Sequence, residues 1–153
     1  VYRPYIHIRY AEILLNYMEA MNEYNPEDPK IITYFNEIRE RAGIPNITVT
    51  YPQDLGDKEK MREWILRERQ IELATEGQRY FDVRRWMIAD KDGEGRQNGY
   101  AHGMNVRGTI NDTEEFNRVV ETEKIVFNRK MYLQPIPDHE MRKTQNLVQN
   151  PGW

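Results

Sequence analysis

The sequence predicts a mostly α-helical fold, and three observations carry that expectation. Apolar residues recur at helical spacing from Arg9 to Glu23 and from Lys30 to Ala42. Start and stop residues frame the helical stretches: Asp57 before one, Gly43 and Gly77 after others, and Pro26, Pro29 and Pro45 between them. Charged residues make up 31% of the chain and mean hydropathy is −0.90, so the helices are amphipathic rather than buried on all sides.

The first helix is expected over Arg9–Glu23, with an apolar stripe of Tyr10, Ile13, Leu14, Tyr17, Met18 and Met21. The segment Asn25-Pro26-Glu27-Asp28-Pro29 stops it, because proline cannot continue a helix. A second helix runs to Ala42 on Ile31, Tyr34, Phe35 and Ile38. Arg39 and Arg41 lie in its last turn, where cations suit the dipole, and Gly43 supplies a left-handed cap. Together they make an antiparallel helical hairpin resembling one tetratricopeptide unit, without a second copy at a fixed period. Residues 44–56 read as a loop. Asp57 caps a third helix reaching Thr75, and Arg79–Ala89 form a fourth with Tyr80, Val83, Trp86 and Met87 on one side. Residues 90–115 hold five glycines and read as an irregular insertion, within which Val106–Ile110 suit a short strand. Val119, Ile125, Val126 and Phe127 point to strand or extended chain. Tyr132–Pro137 must be extended, since each proline disfavours a helical predecessor. Asp138 starts a last helical turn, and Gln149–Trp153 closes on an aromatic anchor.

Composition narrows the function. The chain has 153 residues and begins at Val1, so it reads as a processed chain or a piece of a longer one. Its hydrophobic share of 39% makes a thin core, and some apolar faces are expected to rest on sequence outside these residues. Net charge is −3, with no basic cluster to follow a phosphate backbone, so nucleic acid is not an expected partner. No apolar run is long enough to span a bilayer. With no Cys, disulfides, thiolate zinc sites and a Cys nucleophile are excluded; with no Ser, so is a serine elbow. His7, His102 and His139 are far apart in sequence and lack a helical ligand partner, so no metal is expected. Gly93, Gly95 and Gly99 fail the dinucleotide pattern, and no cofactor is expected.

Three segments together carry a family resemblance. The first is Arg9-Tyr10-Ala11-Glu12-Ile13-Leu14-Leu15-Asn16-Tyr17-Met18-Glu19-Ala20 with Asn36-Glu37-Ile38-Arg39-Glu40-Arg41-Ala42-Gly43. The second runs Glu68-Arg69-Gln70-Ile71-Glu72-Leu73-Ala74-Thr75-Glu76-Gly77-Gln78-Arg79-Tyr80-Phe81-Asp82-Val83-Arg84-Arg85-Trp86. The third is Leu133-Gln134-Pro135-Ile136-Pro137 with the closing Gln149-Asn150-Pro151-Gly152-Trp153. In this order they resemble the C-terminal part of SusD/RagB proteins, a match that fades over residues 90–130. The resemblance implies one domain over 1–153: a tetratricopeptide-like hairpin (1–45), a helix pair (57–89), a variable insertion (90–130) and an extended closure (131–153). It further implies a non-enzymatic nutrient-binding lipoprotein on the extracellular face of a Bacteroidetes outer membrane. Its partner would be a SusC-like TonB-dependent transporter and its ligand an oligosaccharide, or a peptide as in some relatives. The lipid-bearing Cys and much of the ligand site would lie in the missing N-terminal part.

Two groups of residues are candidates for a role. Glu68, Glu72 and Glu76 share one helical face. They suit either a structural ion-pair network with Arg9, Arg79, Asp82, Arg84 and Arg85, or the two carboxyls of a glycosidase. The network reading is expected, and it would fix the turn at Gly77. Asn98, Tyr100, His102 and Asn105 combine an aromatic ring with amide and imidazole groups on the glycine-rich loop. They are the candidate ligand contacts, unless the insertion is merely solvated. Tyr10, Tyr17, Tyr34, Tyr80 and Trp86 lie on helical stripes and read as core. A helical scaffold that binds only protein is the alternative function.

Overall fold

The computed structural model describes residues 7–91, 99–108 and 113–153. In order it contains α1 (Tyr10–Tyr24), α2 (Pro29–Arg41), α3 (Ile47–Thr50), a 3-10 turn (Pro52–Asp54), α4 (Lys58–Glu72) and α5 (Gln78–Arg85). It continues with β1 (Gly99–Met104), α6 (Thr113–Asn117), β2 (Val119–Ile125), a second 3-10 turn (Arg129–Tyr132) and α7 (Asp138–Met141). The chain divides into two compact units, Val1–Gln78 and Arg79–Trp153.

The first unit is a helical layer in which α1 packs against both α2 and α4. Its core comprises Leu14, Leu15 and Met18 from α1, Ile31, Phe35 and Ile38 from α2, then Ile47, Met61, Ile65 and Leu73. The buried stripe of α1 is rotated from the expected one. Leu15 and Asn22 are inside, whereas Tyr10 and Ile13 are 64% and 50% exposed. Contact with α2 and α4 together selects that face. Asp28 starts α2 by accepting from the Lys30 N–H, with Pro29 at the first helical position, where its missing N–H costs nothing. Asp57 starts α4 by accepting from the N–H groups of Glu59 and Lys60.

Several expected boundaries moved. Residues 44–56 are not a plain loop but hold α3 and a 3-10 turn. The helix from Asp57 ends at Glu72 rather than Thr75, because Leu73 turns into the core and Thr75 takes a left-handed backbone at φ 69°. The next helix ends at Arg85, not Ala89. Met87 is left-handed at φ 54°, and Ala89 is buried with Val83 and Phe127 in the core of the second unit.

Within the glycine-rich insertion, residues 99–104 form a strand. Strand β1 pairs antiparallel with β2, Tyr100 opposite Lys124 and His102 opposite Glu121, with a register irregularity between the two. The expected strand over Val106–Ile110 is corrected. Residues 106–108 form a turn, and 109–110 lie outside the described residues. The Asn105 side chain accepts from the Arg107 N–H, and the Asn105 carbonyl accepts from the Gly108 N–H, which bends the chain there. Gly108 passes so close to Glu115 that a Cβ would lie 2.9 Å from its carbonyl.

The C-terminal segment is held by side-chain amides, since its prolines remove backbone donors. Gln149 accepts from the Ile136 N–H and donates to the Ile136 carbonyl, at 2.8 and 2.9 Å. Trp153 Nε1 donates to the carbonyls of Lys130 and Leu133, and its ring lies under the Lys130 ammonium at 4.2 Å.

Candidate functional site

The end of α4 carries Glu68 and Glu72 one turn apart, and Glu76 follows in the turn beyond. Glu68 is buried and Glu72 nearly so. Arg39 donates to Glu68 at 3.1 Å. Arg41 pairs with Glu72 at 2.5 Å, and Arg9 binds the same carboxylate oxygen. Arg9 also pairs with Glu76 at 2.8 Å and donates to the main-chain carbonyl of Glu72. The last carbonyls of a helix have no partner within it, so Arg9 caps α4 while tying the start of α1 to its end. Hydrogen bonding to Glu76 foremost, against burial, holds the Arg9 guanidinium above its ordinary pKa. Burial pushes the Glu68 carboxyl up, opposed by the charge and hydrogen bond of Arg39. Each carboxylate thus faces a guanidinium, an arrangement suited to fastening three helices together.

Sequence reasoning named Arg9 as a partner but missed Arg39 and Arg41. The signal was their place two positions apart, on the motif that precedes Gly43. Arg79, Asp82, Arg84 and Arg85 gather instead around α5. Asp82 is buried and takes Arg85 at 3.0 Å. Arg84 stacks on Tyr80 at 3.5 Å and lies 5.1 Å from Phe127, while Arg79 and Arg85 lie over Trp86 at 5.8 and 4.8 Å. Of the rings expected in the core, Tyr10 and Tyr80 are exposed, and Tyr17 meets Tyr34 edge to face at 5.2 Å.

A recess of about 530 Å³ opens between α2, the corner at Tyr51 and the outer face of α4. Tyr51 and Trp64 stack in its wall, centroids 3.7 Å apart and planes 23° from parallel. Trp64 Nε1 donates to Asp54 at 2.8 Å, which fastens the short 3-10 turn to α4. The Arg39–Glu68 pair also lines the recess, with Glu63 and Arg67 beside it.

Among the candidate ligand contacts, Asn98 lies outside the described residues. Tyr100 and His102 are both on β1. Asn105 is turned inward, 7% exposed, and its Nδ2 donates to the carboxylate and carbonyl of Glu115 at 2.7 and 3.2 Å. It shapes the turn after β1 and presents no open amide. Among the described residues, no group of His, Asp or Glu could hold a metal ion, and no helix is long and apolar enough to cross a membrane.

Comparison with known proteins accords with this architecture. The SusD family model matches residues 2–153. SusD-like protein P2 of Formosa agariphila is 31% identical over 97% of the chain. A solved SusD-like protein from Bacteroides fragilis NCTC 9343 is 35% identical over 97% of the chain, with a TM-score of 0.74. The solved protein BT4246 is 33% identical over the whole chain, with a TM-score of 0.77. The chain spans about a quarter of each: 26%, 26% and 25%. A mostly helical chain with these terminal motifs, matched from residue 2 to its end, belongs to the SusD family.

Proposed function

We propose that this chain is the C-terminal part of a protein that captures an extracellular nutrient and hands it on without covalent chemistry. The observation that carries the reading is the family match over residues 2–153. The ligand in this reading is an oligosaccharide, with a peptide as the other class. The receiver is a SusC-like TonB-dependent transporter, and the protein sits on the extracellular face of the outer membrane by an N-terminal lipid anchor. Within the chain, one domain runs through the hairpin (1–45), the helix pair (57–89), the variable insertion (90–130) and the closure (131–153).

Capture fits the charge arrangement better than cleavage does. A glycosidase needs two carboxyls flanking the scissile bond. Here Glu72 is closed off by Arg9 and Arg41, and Glu68 is bonded to Arg39. Ligand contact in this chain is assigned to strand β1, through Tyr100 and His102, with Asn105 holding the turn that follows; the fourth candidate, Asn98, lies outside the described residues. One observation favours the scaffold alternative: Tyr10 and Ile13 leave an apolar face of α1 exposed, suited to protein contact. Titrating the full-length protein with a panel of oligosaccharides and peptides separates the two. Saturable heat, weakened by Tyr100→Ala or His102→Ala, supports capture through the hairpin. No response to any ligand leaves the scaffold.

A further inference from the structure

We infer that the recess walled by Tyr51 and Trp64 is a second ligand contact, one that takes a neutral, hydroxyl-rich ring such as a pyranose unit. The class of ligand rests on the capture function proposed above; the location rests on the recess itself.

Its size, about 530 Å³, falls in the range of small-molecule sites, roughly 300–1,000 Å³. Its aromatic wall is fixed before any ligand arrives. Trp64 is held by Asp54 through its indole N–H and by Tyr51 through the ring stack. A prearranged wall loses little rotamer freedom on binding, and ring systems of this kind meet the C–H face of a sugar.

The charges select against other ligands. Arg39 and Arg67 line the recess together with Glu63 and Glu68, two of each sign, so its charges balance. A purely apolar ligand would strip water from the exposed Glu63 and Arg67 and return no hydrogen bonds. Hydroxyl groups both donate and accept, so neighbouring hydroxyls on one ring can meet carboxylate and guanidinium side by side. Arg39 occupies one oxygen of Glu68, and a carboxylate has acceptor sites beyond one bond.

The test uses the full-length protein labelled with 5-fluorotryptophan. The Trp64 signal is assigned by its loss in Trp64→Phe. Glucose, galactose, mannose, N-acetylglucosamine and their oligomers are then titrated, with fluorine NMR and calorimetry read in parallel. The expected result is a saturable shift of the Trp64 signal by at least one sugar. Trp64→Ala should then raise its Kd about tenfold. Because that variant could also loosen the fold, Glu63→Ala provides an independent reading at the exposed rim. It should raise Kd roughly threefold with an unchanged melting temperature. Heat without a Trp64 shift would overturn the recess and leave capture standing, and neither heat nor shift would remove both. A Trp64 shift with unaltered affinity in both variants would also overturn it, as a remote perturbation.

Discussion

Arg39 and Glu68 show what paired charge does at the scale of single residues. Their side chains are only 12% and 8% exposed, and although Arg39 also donates to the Pro45 carbonyl at 2.6 Å, each is the other's charge partner. Breaking such a pair costs more than replacing it whole. Arg39→Met alone should destabilise the protein by about 3–5 kcal/mol, and adding Glu68→Met should recover most of the loss. A double-mutant cycle on denaturant midpoints checks this; simply additive losses would show that the two do not act together. Glu23 and Glu68 should also leave opposite marks on the pH profile. Hydrogen bonding from Arg62 foremost, then Lys58, against burial, holds Glu23 at about 2, below its ordinary 4.5. Its contribution to stability is present above pH 4.5 and lost as pH falls towards 2. Glu68, raised by burial, contributes below its ordinary 4.5, and that contribution is lost as pH rises through its elevated value. Glu23→Gln should therefore flatten the acid limb of melting temperature against pH, and Glu68→Gln should remove a downward slope above pH 4.5. The same slope for both variants would contradict the assignment.

At the scale of elements, helix ends depend on named caps. Asp57 accepts two N–H groups at the start of α4, at 2.9 and 3.1 Å. Asp57→Ala should cost about 1 kcal/mol, whereas Asp57→Asn should cost much less. Comparing the two by thermal melting separates capping from charge. Such local signals were legible in the sequence: Asp57 as a start, and Gly43 and Gly77 as helix exits, which are left-handed at φ 72° and 78°. Tertiary choices were not. Periodicity named an apolar stripe on α1, but packing against two helices buried Leu15 and Asn22 and left Tyr10 and Ile13 outside. Val106 and Ile110 read as strand by propensity, yet the bonds of Asn105 to Arg107 and Glu115 impose a turn on residues 106–108. Arg39 and Arg41 looked like dipole partners at a helix end; only folding brings them to Glu68 and Glu72 on α4. The Tyr51–Trp64 stack joins residues 13 positions apart through a 3-10 turn that the two nearby prolines and glycine had marked only as loop.

At the scale of the molecule, the chain divides into two compact units. The first, through Gln78, joins α1, α2 and α4 by guanidinium–carboxylate pairs over a small core. The second, from Arg79, holds the β1–β2 hairpin and the amide-braced C-terminal closure. The thin hydrophobic share fits a chain that spans about a quarter of its relatives, 26% of SusD-like protein P2. The most direct measurement follows binding and ligand integrity together. The full-length protein is incubated with a saccharide that gives saturable heat, and the saccharide is then sized by chromatography. Recovery at its original length is expected; shortened products would contradict a protein that holds its ligand and does not transform it.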